Sequence, residues 1–310
     1  MNKKITLIGA GAVGTAALYS LIGRGIASEF NIIDINKSRA EGDALDLEDA
    51  AFAIGNPVKI YTGDYNKVSD SDLIIITAGR PQKQGETRLE MVEENAVIMK
   101  DIALKIKESG YNGVVLIASN PVDIMTHVFA EVTGFDTNKV ISTGTELDSV
   151  RLRAEMTRQF KTDFSKSDVH VMGEHGDSSV TVTDKAVVNG QTIIDMISEQ
   201  CSQELLQGAV CNKAYWIIDR KGSTYFGIGA VIAKISDSIL NDKKYRFNVS
   251  TLNKGENTER ELYFGAPSIV GANGVEKRIS VDLSERELKN LHKSIDIIEE
   301  STKVALNRIK

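Results

Sequence analysis

The stretch Lys4-Ile5-Thr6-Leu7-Ile8-Gly9-Ala10-Gly11-Ala12-Val13-Gly14 joins a short apolar run to the spacing G-x-G-x-x-G. An apolar run reads as a buried strand, and a helical pattern follows from Ala12 to about Ile26. Strand, glycine turn and helix are the context in which this motif binds a dinucleotide. Gly9 permits the tight turn, Gly11 lets the main chain approach a pyrophosphate, and Gly14 lets the helix lie close to the strand. The free N–H groups of the helix start then face the phosphates. A glycine-rich turn without a ligand is the competing reading. Asp34 decides between them, because it ends the second apolar run 20 residues after Gly14. A carboxylate there can bind the ribose 2′-hydroxyl and repels a 2′-phosphate, so NAD is favoured over NADP. Val13, inside the turn, joins Gly9, Gly11, Gly14 and Asp34 in the cofactor set.

Outward from this stretch, apolar runs recur at Ile5–Ile8, Asn31–Ile35, Val58–Tyr61, Leu73–Thr77 and Val114–Ala118. Helical segments at Ser38–Ala53 and Arg88–Gly110 lie among them. Runs apolar at every position fit strands buried on both faces of a parallel sheet. The alternation predicts a Rossmann-type, doubly wound α/β domain over residues 1–143. Beyond it the pattern changes to a mixed α+β catalytic domain over 144–310. Helices are expected at Asp148–Phe160, Ser198–Arg220, Gly227–Leu240 and Ser284–Lys310, and strands at Thr181–Val188 and Ser268–Gly271. Asn189-Gly190 and Asn273-Gly274 are hairpin-turn candidates. The two domains should pack tightly around a site.

The 310 residues allow two ordinary domains, and a hydrophobic content of 42% allows a substantial core. A net charge of −6 argues against nucleic acid as a partner, since phosphate binding needs a basic face. Cys201 and Cys211 sit in a segment read as helix, too far apart along it to bond, so both are expected as free thiols in a reducing compartment. With two Cys and four His, no zinc site is expected. The basic start and apolar run resemble a secretory signal, but the glycine spacing and Arg24 argue for the nucleotide motif. No stretch reaches the ~18 apolar residues needed to span a bilayer. The expectation is a cytoplasmic protein with no membrane partner.

Asp148-Ser-Val-Arg151 and Gly173-Glu-His-Gly-Asp177 carry the chemistry. His175 titrates near neutral pH and can give or take a proton. Asp148 can orient the imidazole and stabilise its charged form, although it also suits a helix N-cap. Arg151 lies one helical turn after Asp148 and can grip a carboxylate with two parallel hydrogen bonds. The bland alternatives are a hydrogen-bonded core histidine and a surface arginine.

With these motifs in place, the chain resembles the L-lactate/malate dehydrogenase family over essentially its whole length. The resemblance rests on GAGAVG at 9–14, Asp34, QKQGETR at 82–88, SNPVD at 119–123, LDSVR at 147–151, GEHGD at 173–177 and KGSTYFGIG at 221–229. It implies that His175 donates a proton to a 2-oxo acid carbonyl while NADH delivers hydride. Arg88, in a mobile lid, would meet the carbonyl oxygen where charge develops. Asn120 would hydrogen-bond the same oxygen and the nicotinamide region, beside a cis bond at Pro121. Thr224 would lie near the substrate side chain, and Ile228 against the nicotinamide. A homotetramer is implied as well.

The family's selecting position falls on Gln82. Malate dehydrogenases resemble this region but carry arginine there, for the second carboxylate of oxaloacetate. A neutral Gln82 would leave that charge unpaired in a closing site, a penalty of roughly 3–5 kcal/mol. Pyruvate is therefore favoured over oxaloacetate. Gln84, and Ser179-Val-Thr-Val, depart from the pattern usual in bacterial lactate enzymes and could reshape the pocket wall. L-2-hydroxyisocaproate dehydrogenase, which takes bulkier 2-oxo acids, is the runner-up. NAD-dependent glycosidases need a metal held by Cys and His, and a binding-only NAD sensor needs no proton donor. Many bacterial family members are activated by fructose 1,6-bisphosphate through an arginine and a histidine. Arg153 matches the arginine, but the histidine position falls on Asp168, which would repel phosphate, with His170 nearby. No strong activation is expected.

Overall fold

A computed structural model describes residues 3–80, 88–188, 190–196, 203–255 and 257–310. The first half runs β1 (Lys4–Ile8), α1 (Ala12–Gly23), β2 (Glu29–Ile33), α2 (Lys37–Ile54), β3 (Lys59–Thr62), β4 (Leu73–Ile76), α3 (Arg88–Glu108), β5 (Val114–Ile117), α4 (Val122–Thr133) and β6 (Val140–Ser142). The second half runs α5 (Glu146–Phe160), β7 (His170–Met172), β8 (Val180–Val182), β9 (Val187–Val188), β10 (Gln191–Thr192), α6 (Ile193–Met196), α7 (Gln203–Lys221) and α8 (Phe226–Leu240). It closes with β11 (Tyr245–Asn253), β12 (Leu262–Gly271), β13 (Gly274–Arg278) and α9 (Glu285–Ile309).

Six strands pair in parallel in the order β3-β2-β1-β4-β5-β6, the doubly wound order whose crevice lies where the connections reverse, between β1 and β4. Side chains on a strand alternate between faces, and here both faces are covered. Leu73 and Ile75 of β4 and Leu116 of β5 join one apolar cluster with Leu18, Leu21 and Ile22 of α1 and Ile232 and Ile235 of α8. Ile74, Ile76, Val115 and Ile117 join the other, with Met99 and Ile102 of α3, Val128 and Phe129 of α4, and Ala305 of α9. That double cover is why these strands read as unbroken apolar runs. Each fully buried Leu or Ile contributes about 1.5–3 kcal/mol.

The expected second domain does not have a sheet wholly its own. β11, β12 and β13 extend the same sheet antiparallel, joining it where Ser250 pairs with Ser142. The smaller pairs are β7 with β8 and β9 with β10. Thr181–Val188, expected as one strand, is broken, because the chain turns where Ala186 N donates to Thr183 O at 3.2 Å. β9 and β10 pair across 189–190, of which Asn189 lies outside the described residues. At the other expected hairpin, Gly271 pairs with Gly274 and the turn residues are Ala272 and Asn273. α9 starts with a capping box in which Ser284 and Glu287 satisfy each other's main-chain N–H. Cys211 is a free thiol, and Cys201 lies outside the described residues. Among the described residues, no helix is long and apolar enough to cross a membrane.

Candidate active site

The crevice begins at the glycine turn. Gly9 has φ +100°, and a Cβ there would stand 2.5 Å from Ala78 N, so no other residue fits between β1 and the end of β4. A Cβ on Gly14 would meet Gly9 O at 2.2 Å, which lets α1 start hard against the turn. Gly11 differs: a Cβ there would meet nothing within 4 Å. Gly11 is also the N-cap of α1, with no side-chain cap and no acid in the first turn. The helix thus offers uncapped N–H groups to open space, as a pyrophosphate requires. Asp34 follows β2 directly. Its Oδ2 accepts from Ala10 N at 2.6 Å and its Oδ1 from Asn36 N at 2.7 Å, which fixes the carboxylate over the turn. These residues fit the adenosine half of a dinucleotide.

Val13 and Ile228 pack against the same apolar cluster, from two helices in close contact. Gly229 sits so near α1 that a Cβ would stand 2.8 Å from Ala16 C, so α8 leans on the cofactor helix. Thr224 is half-buried just before α8. Asn120 is exposed between β5 and α4, beyond a cis Asn120–Pro121 bond. The buried Asn95 of α3 clips the two strand ends together, donating to Asn120 O at 2.9 Å and Arg80 O at 3.1 Å and accepting from Arg80 N at 3.0 Å.

The chemistry is brought in by α5 and by the loop after β7. α5 begins at Glu146, so Asp148 lies in its first turn and is not its N-cap; Thr145 is, without a side-chain bond. Main-chain bonds between Gly173 and Gly265 pin the loop to β12, and Gly173 there adopts φ +89°. Glu174 N donates to Ser294 Oγ of α9 at 2.8 Å. The loop then delivers His175, whose Nδ1 lies 2.5 Å from Asp148 Oδ2. Arg151 NH1 donates to Asp148 Oδ1 at 3.0 Å. Asp148 thus bridges the imidazole and the guanidinium. Both Asp148 and Arg151 are buried, while the His175 side chain keeps 25% of its surface exposed. The rest of the Arg151 fork finds no protein acceptor among the described residues.

Charge explains the titration. The Asp148 carboxylate beside His175 raises its pKa above the ordinary 6.5, against burial, and Asp123 adds to the effect. Burial alone would raise the pKa of Asp148. His175 and Arg151 outweigh it and hold the carboxyl below its ordinary range. Two residues went unassigned in the sequence reading. Asp123 Oδ2 accepts from His175 N at 2.9 Å, and Tyr215 of α7 donates to Asp177 at 2.9 Å, one turn of loop beyond the histidine. An acid inside the apolar stretch VDIMTHVF was the available signal for Asp123. Gln82 lies outside the described residues, and Arg88 opens α3 with its side chain outside the description.

The anion site implied by resemblance is internally paired. Arg153 NH2 meets Glu146 Oε1 at 2.8 Å, and Arg246 meets Asp168. Buried His170 lies 3.2 Å from Asp168, and burial pushes its pKa down to about 4.

Comparison with known proteins decides the family. Residues 3–142 match the lactate/malate dehydrogenase NAD-binding domain, and residues 145–308 match the α/β C-terminal domain of the same family. The chain belongs to the lactate/malate dehydrogenase family. It is 43% identical to an L-lactate dehydrogenase of Mycoplasma mobile, over 99% of this chain and 98% of that one. An L-lactate dehydrogenase of Mycoplasma capricolum is 44% identical, over 96% and 97%. The crystal structure of a minor L-lactate dehydrogenase from Enterococcus mundtii, in its ligand-bound form, superposes with a TM-score of 0.93 at 36% identity, covering 97% and 98% of the two chains.

Proposed function

We propose that this chain is an NAD-dependent L-lactate dehydrogenase that interconverts pyruvate and L-lactate. The observation that carries the reading is the Arg151–Asp148–His175 bridge, set at 3.0 and 2.5 Å, with the His175 main chain tied to the helix that follows Asn120. Bound NADH supplies the hydride. His175, hydrogen-bonded to Asp148 through Nδ1, leaves Nε2 to give its proton to the substrate carbonyl oxygen. Asp148 fixes the tautomer and stabilises the imidazolium before transfer. Arg151 takes the pyruvate carboxylate in its remaining N–H pair. Asn120 and Arg88 act on the carbonyl oxygen, and Thr224 and Gln82 bound the pocket on the side of the substrate's methyl group. Neutral Gln82 supports pyruvate over oxaloacetate.

The resemblance supports a homotetramer in the cytoplasm, and Leu45 and Phe52 on α2, each 67% exposed, offer apolar surface for assembly. The test is loss of NADH absorbance with pyruvate, oxaloacetate and 2-oxoisocaproate in turn. Pyruvate should give the highest kcat/KM. Turnover with none of the three would remove the enzymatic reading, and a preference for 2-oxoisocaproate would move it to bulkier acids.

A further inference from the structure

Asp123 is a carboxylate in an expensive place. It stands in the first turn of α4, only 1% exposed. Its Oδ2 accepts from the main-chain N–H of His175 at 2.9 Å. Its Oδ1 is buried and makes no close hydrogen bond, and the Ser250 hydroxyl on β11 faces it as the nearest donor, lowering the cost of the charge without removing it. Burial pushes its pKa up to about 6, with the Asp148 charge adding to the rise. Between its ordinary 3.8 and about 6, the folded chain binds more protons here than the unfolded chain, so stability falls as pH rises through that window. A neutral isostere would avoid this cost, so folding alone does not account for the charge.

Its position does. α4 follows Asn120 directly, so one short segment carries both Asn120 and the acceptor that holds the His175 loop. The charged groups acting on His175 are Asp148 and Arg151 from α5 and Asp123 from α4. We propose that Asp123 is a positioning residue for the reaction: it locks the His175 main chain to the Asn120 segment and brings a second carboxylate to the loop that carries the imidazole. The proposal rests on the function above and adds a residue that the reaction depends on through His175.

Two substitutions separate the two roles. Asp123→Asn keeps an acceptor for His175 N–H and loses the charge. It should leave KM for pyruvate within about twofold, because ground-state binding is untouched. It should move the alkaline limb of pyruvate reduction toward lower pH. Asp123→Ala loses both and should lower kcat about tenfold through misplacement of the imidazole, with NADH affinity retained. One readout needs no turnover: NMR titration of His175 in histidine-labelled protein, assigned among the four histidines by His175→Gln. A lower His175 pKa in Asp123→Asn supports the proposal, even if the parent chain reduces no 2-oxo acid and the functional reading fails. Identical titration of His175 in parent, Asp123→Asn and Asp123→Ala, with kcat unchanged in Asp123→Ala, overturns it.

Discussion

Six strands of the sheet pair in parallel and three more pair antiparallel, and the two regions divide the labour. The parallel region holds the glycine turn and Asp34, positioned almost wholly by main-chain geometry: Gly9 against Ala78, and Gly11 at an uncapped helix start. The region beyond β6 holds His175, Asp148 and Arg151, positioned by side chains that neutralise one another. A dinucleotide needs N–H groups and close approach, which glycine supplies. Proton transfer needs a tuned pKa, which the Asp148 charge supplies to His175 here. Each region therefore fails in its own way when altered.

The sharpest break between them is His175→Ala. Turnover should fall about 10²- to 10⁴-fold, the usual contribution of a general acid, while NADH binding, measured by fluorescence, stays unchanged. A parallel loss of NADH affinity would mean that the two regions are not separable. Gln82→Arg tests residue 82 as the selector of the substrate. The ratio of kcat/KM for oxaloacetate over pyruvate should rise about a hundred- to a thousand-fold, and an unchanged ratio would show that residue 82 does not line the pocket. Arg151→Lys keeps the charge and removes the fork. KM for pyruvate should rise about tenfold, with NADH binding unaffected. The smallest effect concerns fructose 1,6-bisphosphate. With Arg153 held by Glu146 and Arg246 by Asp168, adding it at neutral pH should change the KM for pyruvate by less than about twofold. A large drop in KM would show that those pairs open.

The same contrast explains what could be read in advance. β4 and β5 were legible because both their faces are apolar and covered. β11 was not: Asn248, Ser250, Thr251 and Asn253 are buried along it, and such polar letters read as loop. Two of them are held by bonds from other segments, Asn248 N to Glu146 Oε2 at 2.8 Å and Asn253 Nδ2 to Phe264 O at 3.1 Å. α4 was hidden behind Asn120-Pro121, which reads as a turn. In the site, His175, Asp148 and Arg151 announced themselves by residue type and spacing. Asp123 did not, because its partner is a main-chain N–H 52 residues away, and no side-chain pattern encodes that. Arg153 and Asp168 were legible as a departure from the family, but their internal partners Glu146 and Arg246 were not.

The central claim is that one imidazole, charged by Asp148, serves both directions of the reaction. The measurement that meets it most directly is kcat against pH for pyruvate reduction and for L-lactate oxidation. Reduction uses the imidazolium, so its rate should fall as pH rises through the raised His175 pKa, above the ordinary 6.5. Oxidation uses the neutral ring, so its rate should rise through the same pH. Opposed profiles sharing one midpoint above 6.5 would support the account. Profiles that rise or fall together, or share a midpoint below 6.5, would contradict it.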